Sequence, residues 1–319
     1  MNTAQNPVRI GLVGAGQWAE TMHAPLHSAG AETQLTGVWA RRPAAAQELA
    51  RKHGVPAFST FEELLENSEA VDFAVPPDIQ ADLAIGAAEA GRAVMLEKPL
   101  ATTFAQAAAI SAAVERYQVP NILILSKRYH PRTRDFLTEA QAWVAGGEIA
   151  GLRGRYIHGG FLESGFLGSG ERQGWRQAYG ALYDLGPHLL DLMDAAAGPI
   201  SAVSASGQHG GYTAFTTFHT GGSIGQAAVS GNVAVERVAT DIDLYSPAGQ
   251  LTYSTSGMDQ AEAWPILRAE FASAVRSGSP VTADIARGLH IQRILEALDL
   301  SVTQGRTVEL TEIAIPSAV

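Results

Sequence analysis

The chain has no cysteine among its 319 residues, which removes disulfide frameworks, thiolate nucleophiles and thiolate metal sites from consideration. Positive charge is also scarce. Lysine and arginine number 22 against 32 Asp and Glu, and the net charge of −10 is a poor match for nucleic acid or an anionic membrane, although a local basic pocket is compatible with it. No apolar run reaches the ~20 residues that span a bilayer. Met1 to Pro7 lacks the basic and apolar regions of a signal peptide, so a cytoplasmic location is expected. Charged residues make up only 17% and apolar residues 46%, an ordinary globular balance with ample material for a core. At this length two domains are expected, because single cores rarely grow beyond ~250 to 300 residues.

What is present starts with the first apolar run, Val8 to Val13, and the turn Gly14-Ala15-Gly16-Gln17-Trp18-Ala19. A strand feeding a helix (Trp18 to Ser28) through a turn almost without side chains suits a pyrophosphate. Gly14 permits the tight turn, Gly16 lets the backbone approach the phosphates, and Ala19 is small enough for the helix to pack on the strand. Gln17 and Trp18 open the helix, whose free N–H groups and positive dipole end favour the anion. A second strand is expected at Leu35 to Trp39 and a helix at Pro43 to His53. Between them, Ala40-Arg41-Arg42 stands where a carboxylate would bond an adenosine 2′-hydroxyl and an arginine would accept a 2′-phosphate, which tilts the cofactor from NAD towards NADP. Stacking on adenine, or plain solvation, are the alternative readings of these arginines.

Val71 to Val75 is a short buried strand closed by Pro76-Pro77, a rigid rim for a nicotinamide, with a helix from Ile79 to Ala90. Ala93 to Leu96 follows as a strand and runs directly into Glu97-Lys98-Pro99. Ligands on open α/β sheets sit at strand carboxyl ends, and the following proline biases Lys98 to an extended conformation that aims its ammonium. A solvated surface lysine is the alternative. Helix Thr103 to Arg116 and a sixth strand, Ile122 to Leu125, complete a first domain over residues 1–126. Ser126 to Pro131 leads into a helix, Arg132 to Ala145, of a second domain over 127–319.

From Leu152 the pattern becomes strand-rich: Leu152 to His158, Ala202 to Gly207, Tyr212 to His219, Ser223 to Val233, Asp241 to Ser246 and Leu251 to Tyr253. Strands without intervening helices imply a mostly antiparallel sheet, hence an α/β first domain and an α+β second one. Late helices at Trp264 to Arg276 and Ala283 to Thr303 are expected to return to the first domain, with a last strand at Thr307 to Leu310. In Gly180 to Asp191, Asp184 and His188 share a helix face beside Leu185, Leu189 and Leu192. A carboxylate beside a histidine suits general acid/base work. A capping aspartate with a satisfied core histidine fits the same spacing, and a metal pair is a third reading, the weaker because two ligands are few for a metal site.

Taken together, Gly14-x-Gly16-x-x-Ala19, Met22-His23-Ala24-Pro25, Val75-Pro76-Pro77, Glu97-Lys98-Pro99, Arg128-Tyr129-x-Pro131, Trp175-Arg176 and Asp184-x-Gly186-x-His188 resemble the Gfo/Idh/MocA oxidoreductase family over essentially the whole chain. The resemblance implies a Rossmann domain with a doubly wound parallel sheet and a C-terminal domain with a large open sheet. It also implies bound NAD(H) or NADP(H), a sugar, cyclitol or related polyol or ketone as substrate, and a homodimer or homotetramer. By the same resemblance Lys98 would bond the reacting oxygen, His188 would take or give its proton, and Asp184 would orient substrate or histidine. Arg128, Tyr129, Trp175, Arg176 and Tyr183 become candidates for the substrate site, with Tyr179 beside them. Val75, Pro76, Pro77, Gln80 and Glu97 become candidates for the cofactor site. Val75 and Gln80 stand where the family often has threonine and histidine, and Ser126 where it often has asparagine.

Overall fold

The computed structural model describes residues 6–314 apart from 148, 166, 168–173 and 209. The chain divides into two compact units. One comprises Met1–Ala101, Gln106–Tyr129 and Ala261–Leu289, the other Thr102–Ala105, His130–Gln260 and His290–Val319.

The first unit is built on β1 (Val8–Val13), β2 (Thr33–Trp39), β3 (Ala70–Phe73), β4 (Ala93–Glu97) and β5 (Asn121–Ile124). All pair in parallel in the order β2-β1-β3-β4-β5. The order reverses between β1 and β3, the switch point at which doubly wound sheets bind ligands. Ile122 to Leu125 is therefore the fifth strand and not a sixth, and Glu97-Lys98-Pro99 follows the fourth. β3 and β4 are buried along their whole length, as strands covered on both faces must be. The helix after β1 contains a π-helical turn, Ala19–His23, continued by α1 (Ala24–Ser28). The other helices include α2 (Pro43–His53), α3 (Phe61–Glu66), α4 (Pro77–Glu89) and α5 (Phe104–Tyr117). α5 begins at the last residues of the short piece assigned to the second unit. α3 is absent from the sequence expectations. Its signal is local: Thr60 caps it by accepting from the Glu63 backbone N–H, the Thr-x-x-Glu spacing of a helix start.

The second unit carries α6 (Pro131–Ala145), β6 (Gly151–Ile157), α7 (Trp175–Ala197), β7 (Ile200–Gly207), β8 (Tyr212–His219), β9 (Ile224–Ser230), β10 (Ala239–Ser246), β11 (Gly249–Ser254) and β12 (Val308–Glu309). The seven strands lie in the order β11-β10-β6-β9-β8-β7-β12, antiparallel except for the β6–β9 pair. α7 packs one face of this sheet. At Gly154 of β6 an added Cβ would lie 3.0 Å from Met193 Sδ and 3.1 Å from Leu189, so the helix rides against bare backbone there. Ile242 and Leu244 of β10 are buried while Tyr245 is exposed, the alternation of a one-sided sheet. The last two helices are α8 (Trp264–Ser277), within the first unit, and α9 (Ile285–Gln304), whose residues divide between the units at Leu289 and His290. Among the described residues no helix is long and apolar enough to cross a membrane.

Candidate active site

In the first unit the turn after β1 has the backbone its glycine requires. Gly14 has φ +117°, and a Cβ there would sit 2.2 Å from the Ala74 carbonyl oxygen. Its N–H donates to Trp39 O of β2, while Ala74 N–H donates to Val13 O, so the turn is stitched between β2 and β3 at the switch point. Ala19 is fully buried against Leu12 and Val38, the close packing its small side chain allows. Gln17 and Trp18 are exposed at the start of the helical run. A dinucleotide's pyrophosphate fits this turn, which carries no side chain longer than that of alanine from Gly14 to Gly16. Arg41 and Arg42 are exposed beyond β2, and Arg42 occupies the N-cap position of α2.

The β4 terminus is tied to that turn. Trp18 Nε1 donates to Glu97 Oε1 at 2.8 Å, and Lys98 N–H donates to Glu97 Oε2 at 3.0 Å. Gln80, expected at the nicotinamide, is 1% exposed, and its amide is occupied by backbone. Its Nε2 donates to Glu97 O and Leu100 O, and its Oε1 accepts from Glu97 N–H, so it clamps the corner that carries Lys98 from behind. Pro76 caps α4 and Pro77 opens it, with Ile79 and Gln80 N–H groups bonding Pro76 O. Lys98 itself is half-buried, and the Lys98-Pro99 peptide is cis.

Beneath this corner lies a set of charges to which no role is assigned in the sequence. His23 Nδ1 is 2.8 Å from Asp72 Oδ2, His27 Nε2 is 2.9 Å from the same oxygen, and His27 Nδ1 meets Thr33 Oγ1 at 3.0 Å. All three side chains are essentially without solvent contact. Burial works against the charged form of His23, yet Asp72 and then Glu97 outweigh it and raise its pKa to about 10. Burial likewise pushes the Asp72 carboxyl up, but the His23 and His27 rings hold it far below the usual carboxylate range. An Asp in the middle of the apolar run Ala70–Phe73 is the signal that marks this cluster.

In the second unit, α7 is interrupted at Gly180 (φ 64°, ψ −160°), and Asp184 and His188 stand on its second segment, both buried. Arg176, on the segment before the kink, donates from Nε to Asp184 Oδ2 at 3.1 Å and lies over the Trp175 ring at 4.5 Å. The His188 ring is 6.4 Å from that of Tyr156, whose hydroxyl is pushed up by burial and then by the Asp184 charge. Two aromatic candidates are core residues instead. Tyr129 is fully buried in an apolar cluster and donates to Leu123 O. Tyr183 is 3% exposed and packs on Tyr179 at 5.0 Å. Burial is the reason for the correction in both: neither ring presents a surface to a substrate. Arg128 is half-buried on the 3-10 turn Ser126–Tyr129. The segment from Gly159 to Gly174, which leads into Trp175 and Arg176 in sequence, falls partly outside the described residues. Among the described residues, no group of three or more His, Asp and Glu side chains is placed to hold a metal ion.

A parallel sheet with a glycine turn at its switch point is the arrangement at which open α/β sheets bind dinucleotides. Residues 8–123 match the family model described as oxidoreductase family, NAD-binding Rossmann fold. That match covers the first unit's sheet, and over it the chain is similar to the Gfo/Idh/MocA oxidoreductases. It is 32% identical over 154 residues to dTDP-3,4-didehydro-2,6-dideoxy-alpha-D-glucose 3-reductase of Saccharopolyspora spinosa (47% of this chain, 44% of the relative). It is 30% identical over 169 residues to levoglucosan dehydrogenase of Pseudarthrobacter phenanthrenivorans (51% and 42%), so it matches less than half the length of either. In fold it is similar to GenD2 from gentamicin A biosynthesis, solved in complex with NAD (TM-score 0.83, 22% identity, 96% of this chain and 97% of that one). A levoglucosan dehydrogenase solved with NADH and L-sorbose gives a TM-score of 0.81 at 20% identity, over 96% and 99% of the two chains.

Proposed function

We propose that the protein is an NAD(P)-dependent dehydrogenase or reductase that transfers hydride between the nicotinamide and a CH–OH carbon of a sugar, cyclitol or related polyol. The observation that carries this reading is the 2.8 Å bond from Trp18, in the dinucleotide turn, to Glu97, the residue next to Lys98. It supports the reading by tying the corner whose backbone carries Lys98 to the dinucleotide turn. When bound, the nicotinamide supplies the hydride acceptor or donor. Lys98 hydrogen-bonds the substrate oxygen and stabilises its developing negative charge, and His188 accepts or returns the hydroxyl proton. Asp184, paired with Arg176, offers an acceptor beside a donor, a couple suited to adjacent hydroxyl groups of a neutral polyol. Arg41 and Arg42 favour a 2′-phosphate, hence NADP over NAD.

The test is a fluorescence titration with NADPH and NADH, followed by a panel including levoglucosan, myo-inositol, D-galactose and L-sorbose, read by nicotinamide absorbance. Tighter NADPH binding with turnover on a panel member is the expected result. Release of sugar from an aryl glycoside without net change in nicotinamide absorbance replaces the reading with hidden-redox glycoside cleavage. Binding without any turnover replaces it with a ligand sensor.

A further inference from the structure

His23 sits between two carboxylates from two strands. Asp72 of β3 holds its Nδ1 at 2.8 Å, and Glu97 at the end of β4 faces its Nε2 at 3.3 Å. Nε2 has no aligned hydrogen bond of its own, so Glu97 is the group on which that edge of the ring acts. His27, on α1, faces Asp72 from the other side, and Asp72 and Glu97 are the charged groups that act on His23. Such a cluster is an expensive way to fill a core. Well-packed apolar residues of the same volume commonly stabilise as much or more than a buried ion pair does. What they do not supply is a fixed positive charge aimed at Glu97. Glu97 divides its oxygens between the Trp18 indole and the Lys98 N–H. Since β3 lies between β1 and β4, the Trp18–Glu97 bond stretches the indole across the carboxyl end of the sheet at its switch point. Trp18 is 46% exposed, and its ring meets His23 edge-on at 6.2 Å.

We propose that His23, clamped by Asp72, is a positioning residue of the dinucleotide site: its charge fixes the Glu97 carboxylate, and Glu97 holds Trp18 as a wall against the nicotinamide half of the cofactor. The inference rests on the NAD(P)-binding reading and deepens it. Asp72 and His27 belong to the same device, Asp72 by keeping His23 charged and His27 by fixing the carboxylate from its far side. His23 touches neither cofactor nor substrate. Its effect reaches the site through two hydrogen-bonded side chains.

The test measures NADH and NADPH dissociation constants for the full chain and for Trp18→Phe, Glu97→Gln, His23→Gln and the Trp18→Phe/His23→Gln double variant. Protein labelled with 5-fluorotryptophan adds a fluorine NMR spectrum of its five tryptophans, in which Trp18→Phe assigns Trp18. Each single variant is expected to weaken binding about tenfold, the scale of one charge-assisted hydrogen bond. The double variant is expected to bind no more weakly than Trp18→Phe alone, because both lie on one path. A His23→Gln protein that melts earlier yet binds with unchanged affinity and an unmoved Trp18 resonance overturns the proposal and leaves His23 a packing residue. Should His23→Gln fail to fold, the wild-type pH profile decides. The Trp18 resonance and the affinity are expected to hold constant below about 9 and to move together above it, as His23 loses its proton near 10. A Trp18 resonance that stays put through that range overturns the proposal. A folded wild-type protein that binds neither dinucleotide overturns the NAD(P) reading and this one with it, whereas normal binding with additive variants overturns this one alone.

Discussion

The two sheets of this protein handle charge in opposite ways. In the parallel sheet, Asp72 sits in the middle of a wholly buried strand and draws two histidines in with it. In the antiparallel sheet, the paired charges lie at the surface, with the arginines exposed over largely covered aspartates. Arg153 of β6 is in register with Asp243 of β10 and bonds it at 2.9 Å, and Arg155 is in register with Asp241 at 2.7 Å. Gln250 and Thr252 of β11 add donors to Asp243, and Ser254 adds one to Asp241. Each pair joins an exposed arginine to a largely covered aspartate across neighbouring strands, and ion pairs with one member in solvent contribute little. The buried set has no water to fall back on, so losing one member strands the others. A protein carries charge inside a sheet at that cost where the charge has a task, and here the cluster lies directly behind the Glu97–Lys98 corner.

That contrast is sharpened most by the residue the corner presents. Lys98→Met is expected to lower turnover by about three orders of magnitude or more while leaving NADPH affinity within about twofold, as removal of a cation acting only on developing charge would. Steady-state kinetics beside a binding titration measure both, and an unchanged rate ends the role given to Lys98. Next in size is Asp72→Ala. Urea denaturation is expected to give a loss of about 3 to 5 kcal/mol, because the buried His23 and His27 rings lose the carboxylate that both of them face. A loss under about 1 kcal/mol would erase the difference between the two sheets.

The pH dependence of stability follows from the same pair. His23 has a raised pKa of about 10, so its contribution is complete below the ordinary histidine value of ~6.5 and fades as pH rises from there towards 10. Asp72 has a lowered pKa, so its contribution is complete above the ordinary aspartate value of ~3.9 and fades as acid protonates it. Melting temperature is therefore expected to fall between about pH 7 and 10, and His23→Gln is expected to flatten that slope. An equal slope in both proteins would assign it to other groups. The smallest effect is expected at the surface pairs of the antiparallel sheet. Asp243→Asn should change unfolding free energy by less than about 1 kcal/mol, and that little should disappear in high salt.

Much of this arrangement is legible along the chain because its causes are local. The bounds of β1, α2 and β8 agree with their apolar patterns residue for residue, and Asp184 and His188 do fall on one helix. The misses also have physical causes. α3 is too short for a helical period to register, although its cap is written in Thr60 and Glu63. Tyr129 and Tyr183 look like ligand-binding aromatics by motif, and only burial reveals them as core. Gln80 looks like a cofactor contact by position, but its amide is turned to the backbone of β4. His23 belongs to a quoted motif that carries no chemistry of its own until Asp72 is seen beside it.

By itself the sequence determined the strand and helix periods, the glycine that φ +117° demands at position 14, and the delivery of Lys98 at a strand's end, since each depends on a few neighbouring residues. The tertiary structure alone decided which charges meet. His23 and Asp72 are 49 residues apart, and Trp18 and Glu97 are 79 apart. They come together because the sheet sets β3 between β1 and β4, and strand order is a long-range property that no local pattern encodes.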